Sequence, residues 1–348
     1  MATAVALLSG GLDSILAIKL LLGQGVAVEA LHFVSVFDPG ATDAENCASS
    51  QRAAAHLGVP LRFENISEEL LGLVKDPKHG RGRNMNPCID CHAMMVRRAA
   101  RVMREIGADF LCTGEVLGER PMSQRREALG IVERHAGVAG LLLRPLSARL
   151  LEPTIPEQKG WVDREKLLDI RGRCRQPQFE LAKALDIGPF PTPAGGCLLT
   201  DPGFSERMRD LLKHMPECTT DDARLLKVGR HFRLNPAAKA VIGRNAAENQ
   251  AIEDLAREGD TLMEAANCPG PLALVRGSAA EPELLQAASI TLRYGKAMNL
   301  PSAAVRIWKS GAPAEQGRLV EAQPAAEELL DRLRIAPAGV QGGRDVRE

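Results

Sequence analysis

An apolar run, Ala2 to Leu8, passes directly into Ser9-Gly10-Gly11-Leu12-Asp13-Ser14 and then into an apolar-periodic stretch, Ile15 to Leu22. That order constrains the fold more than any other feature of the chain, because it reads as a strand, a glycine turn and a helix. Glycines let the backbone turn tightly and approach a ligand with no Cβ in the way, and the first amides of the following helix point into the loop. The ligand such a loop implies is a pyrophosphate. The Lys-Ser/Thr ending of a Walker A loop is missing, so the γ-phosphate chemistry of kinases and GTPases is not implied. A glycine-rich β-to-α turn without a ligand is the plainer alternative.

The same rhythm continues. Ala27 to Val34 reads as a second buried strand, Ala44 to Leu57 as a helix and Leu61 to Asn65 as a short third strand. The alternation predicts an α/β fold with a doubly wound parallel sheet. Met94 to Ile106 has helical spacing and leads into Phe110-Leu111-Cys112-Thr113-Gly114, a strand ending in glycine at the sheet's carboxyl edge, where open α/β sheets bind ligands. Thr113 and Gly114 are therefore candidate nucleotide contacts. His32, at the end of the second strand, is either an adenine neighbour or a packed strand-end histidine.

A chain of 348 residues exceeds the rough 100 to 200 residues of one domain. The run from Pro189 to Pro202 is rich in proline and glycine, Phe204 to His214 reads as a short helix, and the texture changes near Pro216 to Asp222. We therefore expect a first domain over 1–215, a second, smaller α/β domain over 223–336, and a flexible tail over 337–348. Strands are expected in the second domain at His231 to Leu234, Lys239 to Ile242, Thr261 to Ala265, Leu272 to Val275 and Val305 to Trp308. Helices are expected there at Ala246 to Arg257 and Glu283 to Lys296. No apolar run approaches the ~20 residues that span a bilayer. With no secretory pattern at the start either, the expected location is the cytoplasm.

Eight cysteines in a cytoplasmic chain argue for thiol or metal chemistry at some of them rather than a disulfide framework. Pro87-Cys88-Ile89-Asp90-Cys91-His92 is answered about a hundred residues later by Ala194-Gly195-Gly196-Cys197. Cys88, Cys91 and Cys197 are three ligands of a metal pattern. A structural zinc site needs four, with His92 an awkward fourth beside Cys91. A 4Fe-4S cluster held by three thiolates leaves one iron open. Cys112 and Cys47 read as small buried hydrophobes, Cys174 sits among arginines, and Cys218 and Cys268 lie outside the pattern.

The glycine loop resembles the PP-loop of the adenylating ATP pyrophosphatases at all six positions. Joined to the cysteines, it resembles the PP-loop tRNA thiolation enzymes: the 4-thiouridine synthetases, the 2-thiouridylases and the iron-sulfur tRNA 2-thiolation proteins. Asn86-Pro87-Cys88-Ile89-Asp90-Cys91 is similar to the Asn-Pro-x-x-x-Cys segment of the 2-thiouridylases, with Cys91 at their catalytic cysteine and Cys197 as partner. Thr113-Gly114-Glu115, Leu117-Gly118 and Ser123-Gln124 are similar to a loop of the 4-thiouridine synthetases. The likeness spans roughly residues 1 to 205 and implies an adenine nucleotide alpha hydrolase-like fold. It also implies that Ser9, Gly10, Gly11, Asp13 and Ser14 hold the β and γ phosphates of ATP, with Asp13 the nearest candidate to position Mg²⁺.

The implied reaction is tRNA uridine thiolation, by adenylation of the uridine carbonyl oxygen and sulfur transfer at a three-cysteine 4Fe-4S site. Its partners would be tRNA and a sulfur donor, either sulfide or sulfur derived from a cysteine desulfurase, with no membrane and with a homodimer left open. The alternatives are a two-cysteine persulfide relay, a small-molecule PP-loop ligase with a zinc site, and a non-catalytic RNA-binding protein.

Net charge is zero, yet arginines concentrate at Arg81, Arg83, Arg97, Arg98, Arg101, Arg104, Arg120, Arg125 and Arg126, and again at Arg171, Arg173 and Arg175. Such clusters can neutralise phosphates whatever the overall balance, although Arg97, Arg101 and Arg104 also fit the solvated face of a helix. Gly243-Arg244-Asn245, Glu248-Asn249 and Pro269-Gly270-Pro271 are similar to the NFACT-R domain, which implies RNA binding by the second domain. A plain structural or dimerisation module is the other reading of that region.

Overall fold

The computed structural model describes residues 1–40, 43–188 and 196–335. The chain forms two compact units, Met1–Cys197 and Leu198–Glu348. Residues 189–195 of the Pro189 to Pro202 run and the whole 337–348 tail lie outside the described residues.

In the first unit the order is β1 (Thr3–Leu7), α1 (Leu12–Leu22), β2 (Ala27–Val34), α2 (Asp43–Leu57), β3 (Leu61–Asn65), α3 (Ser67–Lys75), α4 (Cys88–Glu105), β4 (Phe110–Cys112), α5 (Arg126–Ala136), β5 (Leu142–Leu143), α6 (Ile155–Gln158) and α7 (Gln176–Ala184). The five strands form one parallel sheet in the order β3-β2-β1-β4-β5. β1 is central, with Ala4 paired to Val28 on one side and Phe110 on the other. Its residues Ala4, Val5 and Ala6 are buried, as a parallel strand covered on both faces requires.

Two cores do the covering. On one face Ile15, Leu16 and Ile18 of α1 pack with Ala53, Ala54 and Leu57 of α2 and Ala182 of α7. On the other, Val96, Ala99, Ala100 and Val102 of α4 pack with Val132 and Ala136 of α5 against Val5, Leu31 and Leu111. The sheet is therefore doubly wound, as the sequence predicts. Strand order turns back between β1 and β4, so the crevice beyond their carboxyl ends is the ligand position for this topology.

Helix α4 begins six residues before the expected Met94. Pro87 precedes its first turn with φ −85°, and the Cys91 amide donates to the Pro87 carbonyl at 2.9 Å. A proline at a helix start is compatible with the fold because the missing amide would lack an intrahelical partner anyway. Asp90 in that turn accepts from the His79 backbone at 2.9 Å and pairs with His79 Nδ1 at 2.6 Å, pinning the preceding loop to the helix.

The second unit adds α8 (Pro202–His214), α9 (Thr220–Leu225), β6 (Arg230–Asn235), β7 (Ala238–Ile242), α10 (Ala246–Asp254), β8 (Thr261–Ala265), β9 (Ala273–Gly277), α11 (Glu281–Arg293), β10 (Ala303–Lys309), β11 (Arg318–Ala322) and α12 (Glu327–Leu333). Its six strands are antiparallel in the order β11-β10-β8-β9-β7-β6. Phe232, Ala240 and Val275 pack under α11 and α12, while Val241, Leu262 and Leu274 pack with Leu225 and Ile252 on the other side. Inside it, the buried Arg276 bridges Asp222 at 2.9 Å and Asp260 at 2.7 Å. β11 escapes the sequence reading because three of its five residues are exposed and it carries too few apolar positions to show a period. Among the described residues no helix is long and apolar enough to cross a membrane.

Candidate functional site

In a parallel sheet each crossover helix runs back against its strands, so helices that follow a loop start at the carboxyl edge. α1 and α4 both do, which brings the glycine loop and the first cysteine pair to the same edge. Gly10 takes φ +78°, and a Cβ there would meet the Ser49 carbonyl carbon and the Ser50 nitrogen at 2.8 Å. Only glycine fits both the left-handed backbone and the closeness of α2. Gly11, before the first turn of α1, has no side chain to cap it, leaving that turn's amides for a ligand. Ser14 Oγ donates to the Gly11 carbonyl at 2.8 Å and lies 3.3 Å from Ser9 Oγ, which holds the loop closed on itself.

Gly114 is placed for a different reason. A Cβ on it would sit 2.5 Å from the Asp13 carbonyl carbon and the Ser14 nitrogen, so the segment after β4 lies directly on the loop backbone. Thr113 Oγ1 donates to Glu115 at 3.1 Å. His32 is buried, with Nδ1 donating to the Leu8 carbonyl at 2.8 Å and its ring edge-on to Phe63 at 5.8 Å. It props the end of β1 where the loop begins.

Cys88 and Cys91 lie on the first turn of α4, three residues apart and hence on one face. Burial raises the Cys91 thiol pKa, and nearby Cys197, Cys88, Asp38 and Asp90 push it the same way, so the distant Cys197 returns to this pair. Cys88 is raised by burial, opposed by the Arg120 guanidinium. The Ala194 and Gly195 that precede Cys197 in its motif lie outside the described residues. No disulfide joins any of the cysteines, and among the described residues no three of His, Cys, Asp and Glu converge on a single ion. A zinc ion needs all its donors about 2.0 to 2.3 Å from one point. The thiolates of an iron-sulfur cluster each take a separate iron, so Cys88, Cys91 and Cys197 would have to surround it rather than meet at one point.

Asp13 is raised by burial, and its Oδ2 meets Arg175 Nη2 at 3.2 Å. Arg120 acts on Asp13, on Cys88 and on Glu119. The phosphate loop and the Cys88–Cys91 turn share the sheet's carboxyl edge, with Arg120 near both.

Sequence reasoning missed Glu115 as an organising residue. Burial disfavours its charge, but Arg144 Nε at 2.9 Å and His92 Nδ1 at 2.9 Å more than offset this and hold its pKa at about 2. His92, a candidate fourth ligand by sequence, thus has one ring nitrogen committed to a carboxylate. Arg144 is buried and reaches Glu133 at 2.5 Å, which ties the edge of the sheet to α5. The Thr-Gly-Glu triplet was the available signal, yet its partner Arg144 stands 29 residues away in the chain.

Of the arginines, Arg97, Arg101 and Arg104 are exposed along α4. Arg98 pairs with Glu69 at 2.9 Å, Arg81 donates to the Val74 carbonyl at 2.9 Å and Arg126 to the Leu150 carbonyl at 2.6 Å. Arg120 and Arg175 are the ones at the site.

Fold and loop together define a PP-loop α/β domain, followed by a second, antiparallel-sheet domain. Residues 1–149 match the family described as Thiamine biosynthesis protein (ThiI), and residues 229–333 match that described as NFACT protein RNA binding domain. These matches fall on the same two regions as the resemblances read from the sequence. The chain is 35% identical over 119 residues to the tRNA-specific 2-thiouridylase MnmA of Oleidesulfovibrio alaskensis, covering 32% of this chain and 33% of that one. It is 30% identical over 173 residues to a probable tRNA sulfurtransferase of Thermococcus kodakarensis, covering 48% and 39%. Among solved structures, a 4-thiouridine synthetase–RNA complex with bound ATP overlaps 65% of this chain and 52% of that one, at 24% identity and a TM-score of 0.36. The chain spans about a third of the length of the first curated relatives it matches.

Proposed function

We propose that the protein is an ATP-dependent tRNA uridine thiolase that transfers sulfur at a three-cysteine 4Fe-4S site. The observation that carries this reading is the meeting at one sheet edge of the phosphate loop, packed against Gly114 after β4, and the Cys88–Cys91 turn that opens α4. Matches to ThiI and to a probable tRNA sulfurtransferase support the same chemistry.

A uridine carbonyl oxygen is a poor leaving group. Its attack on the α phosphorus of ATP, with pyrophosphate departing, turns it into a phosphoester. Hydrosulfide then adds to the ring carbon, and AMP leaves with the former carbonyl oxygen. The loop from Ser9 to Ser14 and the first turn of α1 hold the departing pyrophosphate, and the fixed amides there need no reorganisation as its charge develops. Asp13, the nearest carboxylate in the loop, would hold Mg²⁺ against those phosphates. Cys88, Cys91 and Cys197 would hold the cluster, which when bound supplies an iron without a protein ligand where hydrosulfide can sit. Burial, with Cys197 and Cys88 nearby, raises the Cys91 thiol pKa and favours its protonated form in the free protein. The match over residues 229–333 supports RNA binding by the second unit, with tRNA the partner.

Nucleoside mass spectrometry of total tRNA from a deletion strain tests the proposal. Loss of one thiolated uridine, restored by the wild-type copy and not by Cys197→Ala, is the expected result. An unchanged thionucleoside profile would sink it.

A further inference from the structure

A second cluster of polar groups faces the phosphate loop from the far end of the first unit. Gly172, with φ +80°, donates its amide to the Leu117 carbonyl at 2.8 Å, and Arg171 bridges to Leu117 in parallel. The segment 171–175 is thereby laid along the loop that carries Glu119 and Arg120. It delivers Arg175 to the start of α7, with Gln178 one turn further on. Arg175 Nη2 meets Asp13 Oδ2 at 3.2 Å, and its Nε stands 4.0 Å from Glu119 Oε1, too far for a hydrogen bond.

The hydrogen bonding around this contact is incomplete. Arg175 Nε, Asp13 Oδ1 and both amide atoms of Gln178 are buried without a partner. Gln178 is fully buried and close enough to Asp13 to favour its ionised carboxylate, yet the two side chains stop short of hydrogen-bond distance and angle. A buried polar atom left unsatisfied costs about 1–3 kcal/mol, so four around one loop are not retained for stability. Their chemistry is specific: two donors, Arg175 Nε and Gln178 Nε2, and two acceptors, Asp13 Oδ1 and Gln178 Oε1. A polyphosphate accompanied by a hydrated divalent cation presents the complement, anionic oxygens for the donors and metal-bound waters for the acceptors.

We propose that Arg175 and Gln178 form a second wall of the polyphosphate site, and that Arg175 exchanges Asp13 for a phosphate oxygen when the nucleotide binds. In the free protein Arg175 neutralises Asp13 and keeps the loop from repelling itself. With magnesium polyphosphate present, the phosphate takes the guanidinium and the cation takes the carboxylate, so each charge trades one partner for another. The inference deepens the nucleotide-binding reading above and rests on it.

Calorimetric titration of the full chain with magnesium pyrophosphate, and separately with magnesium ATP, tests it alongside the melting temperature of each ligand-free protein. Arg175→Ala should weaken pyrophosphate binding roughly ten- to a hundredfold, the range for a lost charge-assisted contact, with Arg175→Lys recovering part of it. Gln178→Leu should weaken binding while raising the melting temperature of the free protein, because it removes two buried unpaired polar atoms. A purely structural role would lower the melting temperature and leave affinity alone. Pyrophosphate affinity within twofold of wild type in both Arg175→Ala and Gln178→Leu overturns the inference and leaves the nucleotide reading standing. A wild-type chain that binds neither ligand overturns both.

Discussion

Gly114 and Glu115 are neighbours in the chain and answer to different physics. At Gly114 the constraint is space: an added methyl meets the backbone of Asp13 and Ser14, which has no flexible end to move aside. Gly114→Ala should therefore cost about 1–3 kcal/mol by overpacking and, by pushing the phosphate loop away from the end of β4, sharply reduce ATP binding in a calorimetric titration. At Glu115 the constraint is charge. Its pKa of about 2 in the fold lies below the ordinary 4.5, so the stabilisation it brings is fully present above pH 4.5 and fades as the pH falls towards 2. Glu115→Gln leaves the buried Arg144 short of its partner and should lower unfolding free energy by about 3 kcal/mol or more. That deficit, read by denaturant melts, should shrink as the pH falls from 4.5 towards 2. A deficit that grows in acid would assign the stabilisation to another group.

At the scale of elements, α4 shows what local pattern conveys and what it hides. Its apolar face from Met94 onward is legible because Val96, Ala99, Ala100 and Met103 recur at helical spacing against the sheet. Its first turn is not, since Pro87 and two cysteines read as loop and the residue before the turn offers no capping side chain. Placing Cys88 and Cys91 on a helix start fixes both on one face, which a turn would not do. Anaerobic reconstitution should accordingly give visible cluster absorption and iron content that fall in Cys88→Ala, Cys91→Ala and Cys197→Ala, with Cys268→Ala as an unaffected control. Retention of both signals in all three variants would remove the cluster assignment. The loop from Arg171 to Arg175 carries the opposite lesson. Its arginines read as a phosphate-neutralising cluster, yet Arg175 is committed to Asp13, 162 positions earlier in the chain.

For the whole molecule, two units with separate cores imply separable stability. The second unit has apolar clusters on both faces of its own sheet and an internal Asp222–Arg276–Asp260 network. Residues 198–348 expressed alone should melt cooperatively and bind tRNA with an affinity that falls steeply as salt rises. Cooperative melting without binding at low salt would confine RNA recognition to the first unit or abolish it.

The sequence by itself determined the β-loop-α opening, the parallel sheet, most strands of the second unit and the three cysteines, because each is written in local periodicity or in a short motif. The tertiary structure alone decided that Arg120 couples to the phosphate loop and to Cys88, that Glu115 is held ionised by Arg144 and His92, and that Arg175 and Gln178 face Asp13. Those pairings join residues tens to more than a hundred positions apart. Only the burial and close approach created by closing the sheet and its helices set their charges, and no local pattern encodes distances across a fold.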